Sequence, residues 1–407
     1  MFISSLSFFL IHYTYAKQKN DHLTPKVLIK PKKKSSSTKP NFGVSVAVSD
    51  SILAVGAYGD DDKGLNSGAV YIYDITDGKL KTKITASDGA ASDNFGHSLA
   101  LSENILVVGS PLDDDKGINS GAVYYYDLAK GNAEKKITAS DGVSGDSFGY
   151  SVALSGTTLA VGAFRDGDKG PGSGSVYLYD LAKASAETKI TASDGAASAL
   201  FAYSVALSGN ILAVGAIEDN GKKESSGSVY LYDLAKGNAE TKIIATDGAR
   251  GDYFGYSLAL SGSFLAVGAW EDDDKGSNSG SVYVYDLNKG NKETKITAFD
   301  GSAYDNFGQS LALSGTMLAV GAFEDRDKGV DSGSVYLFDL AKANTELKLT
   351  AFDGSSYDHF GNSVALSGRT LAVGAYKDER KNSVTGSVYL YDLDSRKLKF
   401  KIIGPSK

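Results

Sequence analysis

Short apolar runs alternate with polar turns along this chain, and they do so on a fixed long period. From Phe254 the sequence reads FGYSLALSGSFLAVGAWEDDDKGSNSGSVYVYDLNKGNKETKITAFDG. Four runs stand out: SLALS, FLAVGA, SVYVYD and ETKITAF. Each is short, rich in Val, Leu, Ile, Tyr and Thr, and bounded by Gly, Ser, Asn or Asp. That pattern predicts four strands joined by hairpins. Two of the runs are apolar at successive positions. They place Leu265, Val267, Val282 and Val284 on one face and Ala266, Tyr283 and Tyr285 on the other. Both faces then need covering.

The unit returns every 53 residues. Its marker is Phe-Gly, at Phe42-Gly43, Phe95-Gly96, Phe148-Gly149, Phe254-Gly255, Phe307-Gly308 and Phe360-Gly361, with Phe201-Ala202 in the remaining slot. A long fixed period signals a repeat architecture in which no single unit buries its own core. A four-stranded sheet packed on both faces by like sheets is a propeller blade. The first and last units resemble the inner ones and lack the polar caps of an open solenoid. The expected fold is all-β: a seven-bladed β-propeller over 41–404, four antiparallel strands per blade. The C-terminal run Lys397–Ile403 supplies the last strand. Val27, Leu28 and Ile29 either compete with it or pair beside it.

Positions kept in all seven units read as scaffold. They include Gly56 and Gly68, which suit close approach or a positive φ. Tyr71 fills the layer between blades, and Asp74 caps a turn at a strand end.

The flanks differ from the repeats. Residues 1–16 are apolar from Phe2 to Ile11 and read as a signal peptide, too short to span a bilayer. Residues 17–40 hold eight Lys and one Asp and read as a basic tether. With a net charge of −7 for the whole chain and +7 for this segment, the repeats carry −14. The absence of Cys excludes disulfides, thiolate metal sites and Cys nucleophiles.

Phe-Gly followed by SVAL, LAVGA and GSVYLYD resembles the FG-GAP repeat of integrin α-subunit propellers and of many bacterial and protist surface proteins. The resemblance spans about nine-tenths of the chain. It implies a seven-bladed propeller, usually extracellular, used for adhesion or ligand binding. The chain departs from the pattern at the Pro of Gly-Ala-Pro, which becomes Tyr58, Phe164, Ile217, Trp270, Phe323 or Tyr376. The family's calcium loops, DxDxDG between the first and second strands, are also missing. The pattern looks more like the microbial FG-GAP variants without those loops.

The connections between second and third strands, and between one blade's fourth strand and the next blade's first, emerge on one face. Both kinds are acidic, with net charges of −9 and −10. This argues against nucleic acid as a partner. In four blades the spacing D-x-D-x-G-x-N/D offers alternate oxygens around a Gly, suited to Ca²⁺. The candidate ligands are Asp60, Asp62 and Asn66; Asp113, Asp115 and Asn119; Asp272, Asp274 and Asn278; and Asp325, Asp327 and Asp331. The competing reading is an Asx-turn loop whose own Lys, such as Lys63, pairs with its Asp.

Aromatics gather on the acidic face in blades 5–7, at Tyr253, Trp270, Phe299, Tyr304, Phe323, Phe352, Tyr357 and Tyr376. Aromatics amid polar residues suit interface anchors or sugar platforms; the bland alternative is that they seal gaps between blades. No catalytic motif appears, and each repeat-region His, His97 and His359, stands in one blade only. The sequence therefore points to a secreted or surface binding scaffold for a protein or polysaccharide. A Ca²⁺-dependent adhesion module and a polysaccharide-acting enzyme are the alternatives.

Overall fold

The computed structural model describes residues 26–28, 39–183, 187–342, 346–380 and 383–405. The signal-peptide expectation for 1–16 lies outside these residues, as does most of the 17–40 tether.

Seven blades, each of four antiparallel strands in chain order, follow one another along the chain, and in blade 7 a small hairpin of Glu379–Arg380 with Ser383–Val384 intervenes between the second and third strands. Blade 1 comprises Val46–Val48, Ile52–Ala57, Ala69–Asp74 and Leu80–Ile84. Blade 5 comprises Ser257–Ser261, Phe264–Ala269, Ser281–Asp286 and Lys292–Ile296. Blade 7 comprises Ser363–Ser367, Thr370–Ala375, Ser387–Asp392 and Lys397–Ile403. The first strands of adjacent blades neighbour one another in a closed circuit, the first blade's against the last's. The fold is thus the expected ring. The N-terminal run does not displace the C-terminal strand: Lys26–Leu28 adds beside it as a parallel fifth strand, with Lys26 opposite Phe400.

The strand faces differ from the expectation. In blade 5, Leu265 lies opposite Tyr285 and Val267 opposite Tyr283, whereas Ala266 lies opposite Val284 and Gly268 opposite Val282. Directly opposed residues share a face, so the tyrosines stand with Leu265 and Val267, not with Ala266. One face is therefore large and the other small. The large face packs on the small face of the preceding blade, where Tyr283, Tyr285, Leu265 and Val267 cluster with Ala206, Ala213 and Val229 of blade 4. Each such tyrosine contributes roughly 1.5–3 kcal/mol by area buried.

The Phe-Gly pair joins blades. Phe95 is fully buried and meets Tyr124 and Tyr126 edge-on at 5.3 and 6.4 Å. The carbonyl of the following Gly96 accepts a hydrogen bond from the Ser45 hydroxyl of blade 1 at 2.7 Å. The same serine-to-carbonyl bond recurs at every junction, including Ser363 of blade 7 to Gly43 at 2.8 Å. A Cβ on Gly56 would fall 2.2 Å from the Gly96 carbonyl oxygen. A Cβ on Gly68, whose φ is +87°, would fall 2.0 Å from that of Phe95. Both glycines are close-approach positions.

Candidate functional site

In the acidic loops, the first Asp after each second strand turns inward. Asp60, Asp113, Asp166, Asp219, Asp272, Asp325 and Asp378 are all buried. Asp113 accepts a hydrogen bond from the Tyr124 hydroxyl at 2.9 Å and an ion-paired contact from Lys136 at 2.9 Å. Lys136 comes from the outer strand and also meets Asp88 at 2.7 Å and Asp115 at 2.6 Å. Asp88 belongs to the connection entering the blade, so one ammonium ties two loops to the sheet. Burial alone would lower the Lys136 pKa, but the three aspartates outweigh it and hold the group above its ordinary range. Burial would likewise raise Asp88, yet Lys136 and Tyr124 hold it below the usual carboxylate value.

The candidate metal ligands are arranged by this network. Asp141, Asp166 and Asp168 bring their carboxylate oxygens within 4.8 Å of one another. The Lys189 ammonium sits among them at 2.7, 2.8 and 2.7 Å. Lys295 does the same for Asp247, Asp272 and Asp274, and Lys348 for Asp300, Asp325 and Asp327. In blade 1, Lys83 meets both Asp60 and Asp62. A divalent cation there would abut a fixed positive charge, so these residues do not fit Ca²⁺ well. The Asx turn of the competing reading is present: Asp115 N–H donates to Asp113 Oδ1 at 3.1 Å. The partner lysine differs from the one expected, because Lys63 Nζ donates instead to the Ser87 carbonyl at 3.2 Å.

Asn66, Asn119, Asn278 and Asp331 take left-handed turns, φ 53–56°. Their carbonyls receive the N–H groups of Asn94, Ser147, Asn306 and His359 from the neighbouring connection. Their shared role is to dock one loop on the next.

The aromatic candidates fall into two groups. Phe299, Tyr304, Phe352 and Tyr357 are exposed by 65, 49, 50 and 56 %. Phe299 and Phe352 replace residues such as Ser140 and Ser193, whose hydroxyls clamp Glu187 and Glu240 of the next blade. Tyr304 and Tyr357 have φ of 70° and 69°, where Gly145 and Gly251 stand in other connections. Bulky side chains in left-handed backbone are strained. Phe299 and Phe352 also pack edge-on against Tyr336 and Tyr389 of the next blade, each at 6.3 Å, so these two rings help to cover the joint between blades.

Trp270, Phe323 and Tyr376 are half-buried around the axial mouth, each directly after the second strand of its blade, and Tyr253 lies nearby. Here the sequence reading missed most of the constellation. His97, Tyr150, Tyr203 and Tyr256 form a continuous arc with ring centroids 4.8, 5.0 and 5.2 Å apart, and Trp270 extends it 5.1 Å beyond Tyr256. On the other side His359 lies 5.2 Å from Phe323 and 5.5 Å from Tyr376. Burial lowers His97 and His359 to a pKa of about 4, Lys377 adding to the effect at His359. Both rings are neutral at pH 7. The signal that could have found this mouth was the residue after each Phe-Gly or Phe-Ala, which reads Val44, His97, Tyr150, Tyr203, Tyr256, Gln309, Asn362.

Among the described residues no helix is long and apolar enough to cross a membrane. No curated protein matches this sequence. A solved structure titled "Structure of U3-55K" aligns over 88 % of this chain and 96 % of its own, with a TM-score of 0.55 and 15 % identity, which supports the propeller fold alone. The family model described as "FG-GAP repeat" matches seven times, at residues 36–73, 79–126, 132–179, 185–232, 238–285, 291–338 and 344–391. Each match from the second onward begins at or near the outer strand of one blade and ends in the third strand of the next, so it spans the joint with its Phe-Gly or Phe-Ala pair. The chain belongs to the FG-GAP repeat family.

Proposed function

We propose that this protein is a non-enzymatic binding scaffold, secreted or held at a cell surface, whose acidic loop face engages a protein or glycan partner. The observation that carries this reading is the pair Tyr304 and Tyr357. Each is half-exposed and held in left-handed backbone that the other connections give to small residues, Gly145 and Gly251 in two and Ser92 and Ser198 in two. Folding gains nothing evident from those rings, and contact with a partner would account for them. Family membership favours an extracellular setting. The test is capture on an array of glycans and surface proteins by the full chain, compared with Tyr304→Gly/Tyr357→Gly. Equal capture by the two, at equal stability, would remove the reading.

The Asp141, Asp166 and Asp168 cluster is what favours the Ca²⁺-dependent version. Lys189 at its centre weighs against it. Calorimetry with millimolar Ca²⁺ separates the two, because heat of binding would require the lysine to be displaced.

A further inference from the structure

One joint between blades is built differently from the other six. Blade 2 spans residues 98–137 and blade 3 spans residues 151–190. In its second strand blade 2 has Val107, where every other blade has Ala. Val107 lies opposite Tyr125, where every other blade has Ile, Leu or Val. Opposed residues share a face, so blade 2 presents two oversized side chains to blade 3. Tyr179 of blade 3 packs against that face. It is only partly covered, whereas its counterparts Tyr73, Tyr126, Tyr232 and Tyr285 are each 2 % exposed. A cleft of about 640 Å³ opens at this joint, and Tyr125, Lys135, Thr138, Tyr179, Asp180 and Lys183 line it. That volume suits a small ligand, and all six residues reach solvent.

The cleft offers a cation beside rings. Lys135 lies opposite Tyr125 on the outer strand, and its ammonium stands 5.3 Å from the centre of that ring. Among the described residues no carboxylate pairs with it. The adjoining Lys136 turns to the other face of the sheet, over Tyr124. Lys183 already pairs with Asp180 at 2.9 Å, and the Tyr179 hydroxyl donates to Glu187 at 2.6 Å. Lys135 is thus the group available to an anion. No other blade has Lys at this register position, which holds Thr82, Thr188, Thr241, Thr294, Leu347 and Phe400. Third strands end and fourth strands begin on the side away from the acidic loops, so Lys135 sits apart from their charge.

We propose that this cleft binds a uronate residue of an acidic polysaccharide. The rings, the cation and the hydrogen-bonding groups call for an apolar face, a carboxylate and hydroxyls on one ligand, and a uronate carries all three on one ring. Its carboxylate pairs with Lys135, its C–H face lies against Tyr125 and Tyr179, and its hydroxyls reach Thr138 and Asp180. The site is separate from the acidic loop face and does not depend on it.

The full chain is titrated by calorimetry with hexagalacturonate and hexamannuronate, and with cellohexaose and maltohexaose as neutral counterparts. Saturable binding of at least one uronate hexamer, weakened by salt, is expected, with no binding of the neutral hexaoses. Lys135→Thr copies Thr188 and should weaken binding about tenfold. Tyr125→Leu copies Leu178 and should weaken it about fivefold. Both should keep the parent's melting temperature, because other blades carry these residues at the same register. Val107→Ala combined with Tyr125→Leu restores the small face of the other blades and should abolish binding. No saturable uronate binding, equal affinity for a neutral hexaose, or unchanged affinity in Lys135→Thr overturns the proposal. Loss of uronate binding in Tyr304→Gly/Tyr357→Gly would put the ligand on the loop face and overturn it too, whereas unchanged binding there supports the cleft.

Discussion

Replacing Lys401 by Met isolates what the buried ammonium contributes. Lys401 and Asp378 are 1 and 2 % exposed, and the lysine also meets Asp353 at 3.0 Å and the Tyr389 hydroxyl at 2.6 Å. Met keeps the length of the stem and removes the charge. Two carboxylates and a phenol then face each other in a site where Asp378 is 2 % and Asp353 20 % exposed. Breaking a buried ion pair from one side costs about 3–5 kcal/mol, because the remaining charge stays desolvated. A ring of this size has an unfolding entropy of roughly 0.8 kcal/mol/K, so the melting temperature should fall by about 4–6 °C. The assay is urea unfolding and calorimetry of both proteins at pH 7 and pH 5. The deficit should shrink at pH 5, since protonation of Asp353 or Asp378 removes the repulsion between them. Lys130→Met is the control: it pairs with Asp127 at 82 % exposure and should change stability by less than about 0.5 kcal/mol. A Lys401→Met protein within 1 kcal/mol of the parent at pH 7 would refute the account of these networks as buried electrostatic joints.

Other outcomes follow from the same geometry. Gly68→Ala should cost more than about 3 kcal/mol, because its Cβ would meet the Phe95 carbonyl in a backbone already at φ +87°; a soluble, equally stable variant by thermal melt would contradict the close-approach reading. Burial raises Asp93 and Asp305 to a pKa of about 6, with their neighbours Asp113 and Asp325 adding to it. Folded values above the unfolded ones mean that these groups favour the folded state most below about pH 4, and that this contribution is lost as pH rises through 6. Asp93→Asn should therefore flatten stability between pH 4 and 7, read by urea midpoints across that range. Tyr304→Gly and Tyr357→Gly should leave stability within about 1 kcal/mol of the parent while reducing partner capture.

The ring was legible in the sequence because its determinants are local and repeated. Each blade carries its own four strands, its Phe-Gly or Phe-Ala joint and its glycines, and a period states all of that seven times. The face assignment went astray because alternation along one strand does not fix which neighbour it opposes. Only the register sets Tyr283 beside Val267 rather than beside Ala266. The acidic loops invited a metal because the lysines that fill them lie on the outer strand, well over a dozen residues away along the chain. That separation hides contacts of 2.7–2.8 Å from any reading of spacing. The exposed aromatics were visible as departures from the repeat. The axial mouth was legible only in part: Trp270, Phe323 and Tyr376 stood out, whereas His97, Tyr150, Tyr203 and Tyr256 meet only because single residues of successive units converge on the axis.

The serine-to-carbonyl bond that joins neighbouring blades is also what joins blade 7 to blade 1. Among the described residues the seam adds to this shared bond the Asn362 amide donating to the Val44 carbonyl at 3.3 Å, the Ser367 hydroxyl donating to Asp50 at 3.2 Å, and the short strand laid against Lys397–Ile403. Topologically the circle has no privileged starting point. A gene cut at another blade boundary and religated end to end would encode the same handshakes in rotated order. By the same logic, whole units can be copied or lost without inventing a new closure, and the number of blades is left to the angle at which large faces nest on small ones.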